Sequence, residues 1–332
     1  MIRTLISFVL VFNIIVFVHE LGHYVMARRA GIRIHEFALG MGPTIWKKEK
    51  NNTVYALRAL PIGGFVKMEG EDTDSDAEDS FNSKSPAQRF GVIVAGAMMN
   101  LFLAFFIILV INLSLGQPTL TLSEITPNSP AQEAGMLAGD TITGINGKSI
   151  STWEEALMII GEAEGELVLD VQRDGETFTF RVMPEESDGR MVIGIVRGTS
   201  RNPLTALSYT FKQVGFLLTM MLGFFRDLFT GKANLEGVVG PIGLATFVGE
   251  SARGGIISLA MLTAYISLNL AVVNLLPIPA LDGGRLLFIL IEMLRGKPIP
   301  PEKEGMVHTA GLILLLLLIV FITYQDIVRL FQ

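Results

Sequence analysis

Four long apolar runs, residues 4–27, 90–116, 256–281 and 309–325, set the terms on which this 332-residue chain can fold. Each meets or nearly meets the roughly 20 apolar residues needed to cross about 30 Å of hydrocarbon. Half of the chain is hydrophobic and only 17% is charged. That balance excludes an ordinary soluble domain and calls for a polytopic α-helical membrane protein of about four transmembrane helices. The first run does not read as a signal peptide, because it lacks a small-x-small cleavage site and Arg28 and Arg29 stand where one would lie. There is no cysteine, so neither a disulfide nor a thiolate ligand or nucleophile is available.

Lysine and arginine near the span ends give the orientation. Arg28, Arg29, Arg33, Lys47, Lys48 and Lys50 follow the first run, Lys84 and Arg89 precede the second, and Arg285, Arg295, Lys297 and Lys303 lie between the third and fourth. These loops belong in the cytoplasm, which leaves both termini and the segment from Gln117 to about Gly255 outside. The expected organisation is an N-terminal membrane half over residues 1–116, an extracytoplasmic domain over 117–200, an amphipathic surface helix with a Gly-rich loop over 201–255, and a C-terminal membrane half over 256–332.

Between the first two spans, "TVYALRALPIGGFVKMEG" alternates as two β-like runs with a turn at Pro61–Ile62–Gly63–Gly64, a hairpin or short sheet beside the membrane. The following "EGEDTDSDAEDS" is a flexible solvated loop by composition. In the outer segment, "TLTLSEIT" and "ELVLDVQRDGETFTFRVM" read as strands, the second with a hairpin turn at Arg173–Asp174–Gly175–Glu176. Ser129 and Ser151 are the expected helix caps, Ser151 in a capping box with Glu154. Residues 203–232 carry Phe211, Val214, Leu218, Met221, Leu222, Phe225 and Phe229 at helical spacing, interrupted by Lys212, Arg226 and Asp227. That pattern suits a helix on the membrane surface or packed on the spans. "GVVGPIGLATFVGESARGG" reads as a poorly helical loop.

One span violates the rule that hydrocarbon rejects charge. "VHELGH" puts His19, Glu20 and His23 inside the first apolar run, where each ionised group costs roughly 2.5–3.5 kcal/mol on insertion scales. At i and i+4 the two imidazoles share a helix face and can meet one ion, while Glu20 at the edge of that face can deprotonate a water. This is the HExxH arrangement of zinc hydrolases. A third ligand is expected in another apolar segment, and Asp282 is the ionisable group available, at the end of the third span in "NLLPIPALDGG". Pro277 and Pro279 break the helix there, and Gly283 and Gly284 permit a tight turn. Irregular backbone at membrane depth is tolerated where it lines a cavity. Two histidines and a carboxylate leave an open position, as catalytic zinc requires. Glu292 is a poorer ligand because it lies nearer the basic loop, and His35 and His308 read as ordinary polar residues.

HELGH in the first span, "GGFVKMEGED" after it, the PDZ-like signature "SPAQEAGMLAGDTITGINGKSI" and "NLLPIPALDGG" together resemble the site-2 protease family, peptidase family M50, and its RseP-type bacterial intramembrane zinc metalloproteases. The resemblance covers essentially the whole chain, with one PDZ-like domain where some members have two. It implies one catalytic Zn2+ held by His19, His23 and Asp282, with Glu20 as general base and acid. It implies that Gly64, Phe65, Val66, Lys67 and Met68 hold substrate as an added strand. Asn274 would position substrate backbone or the oxyanion, or else make an interhelical hydrogen bond, and Asn269 is a weaker version of the same case.

The implied activity is cleavage of transmembrane segments of single-span proteins already trimmed outside, such as anti-sigma factors and remnant signal peptides, in the bacterial cytoplasmic membrane. The PDZ-like domain would either capture peptide by strand addition or only exclude bulky substrates. The lipid bilayer is the other partner, and nucleic acid is not expected. Two other readings fit the same residues, a metal-ion or proton transporter using the three ligands and a PDZ-type membrane scaffold.

Overall fold

The computed structural model describes residues 2–71, 75–187, 189–233 and 239–330. Among these, four helices are long and apolar enough to cross a membrane, Ile2–Arg29, Pro86–Leu115, Ile256–Leu275 and Glu302–Arg329. The chain divides into two units, Met1–Ile107 with Met221–Gln332, and Ile108–Met220.

The first unit begins with α1 (Ile2–Arg29), then β1 (Ile34–Lys50) and β2 (Thr53–Met68), and enters α2 (Pro86–Leu115). One hairpin turn is at Asn51–Asn52, both left-handed (φ 52° and 57°), and β2 reverses again near the left-handed Gly63 (φ 84°), within the expected Pro61–Gly64 turn. Asparagine tolerates that conformation, and Pro61–Gly64 lies within the span of β2. β2 folds back so that the start of β1 has partners on two sides: Phe37 stands opposite Tyr55 and also opposite Val66, and Ala38 opposite Ala56 and Phe65. The stretch from Gly64 to Met68 therefore has β1 along one edge. Val66 and Met68 pack with Ile34, Phe37, Ala27, Val92, Ile93 and Leu286 in one apolar core, which seats the strand against the helices. The acidic segment is only partly the solvated loop expected. Residues 72–74 lie outside the described residues, but Ser80 and Phe81 are buried and Arg33 pairs with Asp79 at 2.8 Å.

α6 (Pro241–Arg253) corrects the expectation of a poorly helical loop. Its glycines lie where a neighbour presses close; a Cβ on Gly249, for instance, would strike Thr4 of α1. The cost of glycine in the helix is offset by packing of Val248 and Ala252 on Val11 and Ile15. Gly237 and Val238 of that stretch lie outside the described residues.

After α7 (Ile256–Leu275) the chain leaves helical geometry through Pro277 and Pro279 and restarts as α8 (Asp282–Arg295), followed by α9 (Pro301–Leu330). Asp282 is thus the first residue of a new helix rather than the end of the third span, because two prolines within three residues cannot continue α7. Within the connection Ala280 is left-handed (φ 73°) and its N–H donates to His308 Nδ1 at 3.0 Å. His308, read from sequence as an ordinary polar residue, pins the loop that delivers Asp282.

The second unit contains β3 (Gln117–Ile125), α3 (Pro130–Glu133), β4 (Thr141–Ile145), β5 (Lys148–Ser149), α4 (Trp153–Gly161), β6 (Leu167–Arg173), β7 (Glu176–Val182), β8 (Glu185–Ser187), β9 (Arg190–Val192) and β10 (Ile195–Ser200), and enters α5 (Pro203–Phe229). The main sheet has the order β10-β3-β4-β6-β7, so β10 is an edge strand. Its core gathers Leu122, Ile142, Ile145, Trp153, Leu169 and Val171. Ser129 caps α3 and the Asp174–Gly175 turn joins β6 to β7, as expected. The capping box of α4 is one residue later than expected, formed by Thr152 and Glu155. Glu154 is occupied elsewhere, accepting from Tyr209 Oη at 2.5 Å and Gln213 Nε2 at 3.0 Å.

Candidate metal centre

His19 and His23 are both buried, at 8% and 7% exposure, on the face of α1 that meets α2. The helices approach closely there because glycines allow it. A Cβ on Gly22 would strike the Ala95 carbonyl, and a Cβ on Gly96 would overlap both imidazole rings. The Nε2 atoms stand 3.1 Å apart. Asp282 Oδ2 completes the group, 3.2 Å from His19 Nε2 and 3.4 Å from His23 Nε2. The four-residue helical spacing supplies the histidine pair, and the broken connection after α7 turns α8 so that its first carboxylate reaches them.

The chemistry of this donor set fits a cation. Asp282 Oδ2 is buried and accepts no hydrogen bond in the protein. His23 Nδ1 lies 2.9 Å from the Val92 carbonyl, which fixes its proton on Nδ1 and leaves the Nε2 lone pair facing Asp282. A carboxylate oxygen and imidazole lone pairs aimed at one another repel unless a positive charge stands between them. Among the described residues, His19, His23 and Asp282 form the cluster able to hold a metal ion, with ligand atoms all within 4.8 Å of one another.

Glu20 lies beside the cluster, outside its ligand set, and lines the same cavity as Val66. That cavity, of about 430 Å³, opens over these groups and is lined by His19, Glu20, His23, Asp282, Glu71, Ile93 and the stretch Phe65, Val66, Lys67 and Met68. The Phe65–Met68 stretch of β2, which β1 pairs along one edge, lines this cavity. Gly64 packs behind this wall, where a Cβ would press on the Ala38 carbonyl and Val16.

A family model described as Peptidase family M50 matches residues 7–318. The chain belongs to peptidase family M50. It is 33% identical over 421 residues to zinc metalloprotease RasP of Oceanobacillus iheyensis, covering 99% of each chain. Zinc metalloprotease RasP of Bacillus licheniformis is 34% identical over 419 residues, with 99% of this chain and 100% of that protein covered. Regulator of sigma-W protease RasP of Bacillus subtilis is 33% identical over 419 residues, with 99% of each covered. The M50 match and these relatives make the chain a zinc metalloprotease of the site-2 protease family, and the histidine–histidine–aspartate group agrees with Zn2+ as its metal.

Other residues singled out in the sequence lie elsewhere. Asn274 is buried on α7, outside the cavity lining. Asn269 is exposed and donates to the Tyr265 carbonyl within its own helix. Glu292 pairs with Arg89 at 2.5 Å, and His35 pairs with Glu69 at 2.6 Å. Sequence reasoning missed Gly22, Gly96 and Asn100, the last with its amide 3.4 Å from His19 Nδ1. The signal available was an amide in the middle of an otherwise apolar span, a polar group that does not stand out when only ionisable ones are sought.

Proposed function

We propose that this M50 protease hydrolyses peptide bonds within transmembrane segments of single-span membrane proteins that have already been trimmed outside, with anti-sigma factors and remnant signal peptides as the substrate class. His19, His23 and Asp282 hold the zinc, and Glu20 is the general base and then the general acid. The observation that carries this reading is the convergence of the three ligand atoms, two from a helix apolar enough to span a membrane and one from the start of α8, beside a cavity lined by Phe65–Met68 of β2. The printed name of the Bacillus subtilis relative, a regulator of sigma-W, supports the choice of substrate class.

When bound, zinc supplies the Lewis acidity that polarises a peptide carbonyl and brings water within reach of deprotonation near neutral pH. The protein does the rest. A substrate helix must unwind before one of its amides is accessible, and the free edge along Phe65–Met68 offers main-chain partners to the extended segment. Glu20, beside the ligands in the cavity lining, takes a proton from water and returns it to the departing amine. The lysine and arginine distribution supports placing the catalytic end of α1 toward the cytoplasm and the second unit, with both termini, outside. In that position the second unit, PDZ-like by its "SPAQEAGMLAGD" signature, would exclude untrimmed substrates, and the open edge of β10 suits strand addition by a peptide.

The test is cleavage of a tagged single-span substrate by the purified protein in liposomes. Glu20→Gln should lower the cleavage rate by about 10²–10⁴-fold while zinc stays stoichiometric. Cleavage at the wild-type rate by Glu20→Gln, or in excess chelator, would sink the mechanism.

A further inference from the structure

An imidazole that gives its Nε2 lone pair to a cation keeps its proton on Nδ1, and that proton needs an acceptor. For His23 the acceptor is the Val92 carbonyl. For His19, the polar group beside Nδ1 is the side-chain amide of Asn100, 3.4 Å away on α2. Asn100 is completely buried, at 0% exposure, and its Oδ1 has no hydrogen-bond partner. A buried amide oxygen left without a donor costs about 1–3 kcal/mol.

One rotation supplies the acceptor that His19 needs. Turning the amide half a turn about its last bond exchanges nitrogen and oxygen, so that Oδ1 accepts from His19 Nδ1–H. The acceptor is then satisfied and the His19 tautomer is set with Nε2 toward His23 and Asp282. The rest of the residue is anchored for this role, since its backbone carbonyl accepts from Ser267 Oγ of α7 at 2.8 Å. Gly96, one turn earlier on the same face of α2, leaves the space that the two rings fill.

We propose that Asn100 is a positioning residue that accepts the His19 Nδ1 proton and thereby holds the His19 Nε2 lone pair on the metal, an inference that rests on His19 being a ligand. Zinc affinity, measured by competition with a chromophoric chelator at fixed pH, tests it without reference to turnover. Asn100→Leu, close in shape but with no acceptor, should bind zinc about 10–100-fold more weakly. Asn100→Asp, which keeps an acceptor, should stay near wild type, a rescue that a purely structural role for the amide would not give. His19→Ala separates the two levels of the argument. If it binds zinc like wild type, the ligand reading fails; if it loses zinc while Asn100→Leu does not, only the positioning role fails. Should Asn100→Leu not fold, nitrogen NMR of the zinc-loaded wild-type protein labelled at histidine decides. A protonated Nδ1 on His19 supports the proposal, and an unprotonated one overturns it.

Discussion

Two buried polar clusters in this protein are built in opposite ways. In the second unit, Tyr209 Oη and Gln213 Nε2 donate to the Glu154 carboxylate, and Asn112 Nδ2 donates to Gln213 Oε1 and Thr210 Oγ1. Every bond in that chain runs from a donor to an acceptor. Burial, with the Glu154 carboxylate beside it, pushes the Tyr209 phenol well above its usual range, so it keeps the proton it donates. In the first unit, His19 Nε2, His23 Nε2 and Asp282 Oδ2 approach within 3.1–3.4 Å, three ligand atoms turned toward one another. A cluster whose hydrogen bonds close among its own members holds structure together. A cluster that turns ligand atoms of two imidazoles and a carboxylate inward is suited to hold a cation.

The sharpest way to break this contrast is to give the first cluster a donor. Asp282→Asn places an amide N–H where the carboxylate oxygen stood, so the two Nε2 lone pairs gain a partner inside the protein. Stoichiometric zinc and cleavage should both be lost, read by elemental analysis and the liposome assay. The melting temperature of the metal-free protein should not fall. Retained zinc in this variant would remove Asp282 from the ligand set.

A smaller effect tests the packing that lets the rings meet. Gly96→Ala adds a methyl group where both imidazoles lie. Overpacking costs about 1–3 kcal/mol, here by displacing the histidines, so zinc affinity should drop about 10–100-fold. Equal zinc affinity in Gly96→Ala would show that the α1–α2 contact does not set the site.

The second cluster should respond in stability alone. Glu154→Ala leaves the Tyr209 hydroxyl and the Gln213 amide without their acceptor, a loss of about 1–3 kcal/mol. A lowered urea midpoint with unchanged zinc affinity is the expected result, and altered zinc affinity would undo the distinction between the clusters.

The smallest effect concerns pH. Hydrogen bonds from Arg173 Nε and Nη2 at 2.6 and 2.8 Å, and then from the Leu137 N–H, hold the Asp140 carboxyl below its usual range. A carboxyl with a lowered folded pKa contributes stability that is present above its unfolded value of about 3.9 and fades as pH falls through the folded value. In a Trp46→Phe background, urea midpoints followed through Trp153 should be flat in this contribution from about pH 5 to 8. They should fall below about pH 4, and Arg173→Ala should blunt that acid-side fall.

Much of this was legible in the sequence because it depends on local rules. The apolar runs, the i, i+4 histidine pair, and the two prolines before Asp282 with the two glycines after it each state their consequence within a few residues. The less legible parts depend on neighbours distant in the chain. Ser151 with Glu154 satisfies the capping-box pattern as well as Thr152 with Glu155 does, and the choice goes to Thr152 because Tyr209 and Gln213 take Glu154. Gly-rich "GPIGLATFVG" reads as loop by propensity, yet packing on α1 makes it helical. Asn100 and Gly96 carry no signal of their own until α2 lies against HELGH.

The sequence by itself determined that this chain spans a membrane and carries a histidine pair with an adjacent carboxylate, since length, hydropathy and helical period require nothing beyond the chain's own order. Only the tertiary structure decided which ligand atoms face one another across α1, α2 and α8, which strand lines the cavity, and which amide stands behind His19. Those are distances between residues tens to hundreds of positions apart, and the missing Cβ atoms at Gly22 and Gly96 allow them.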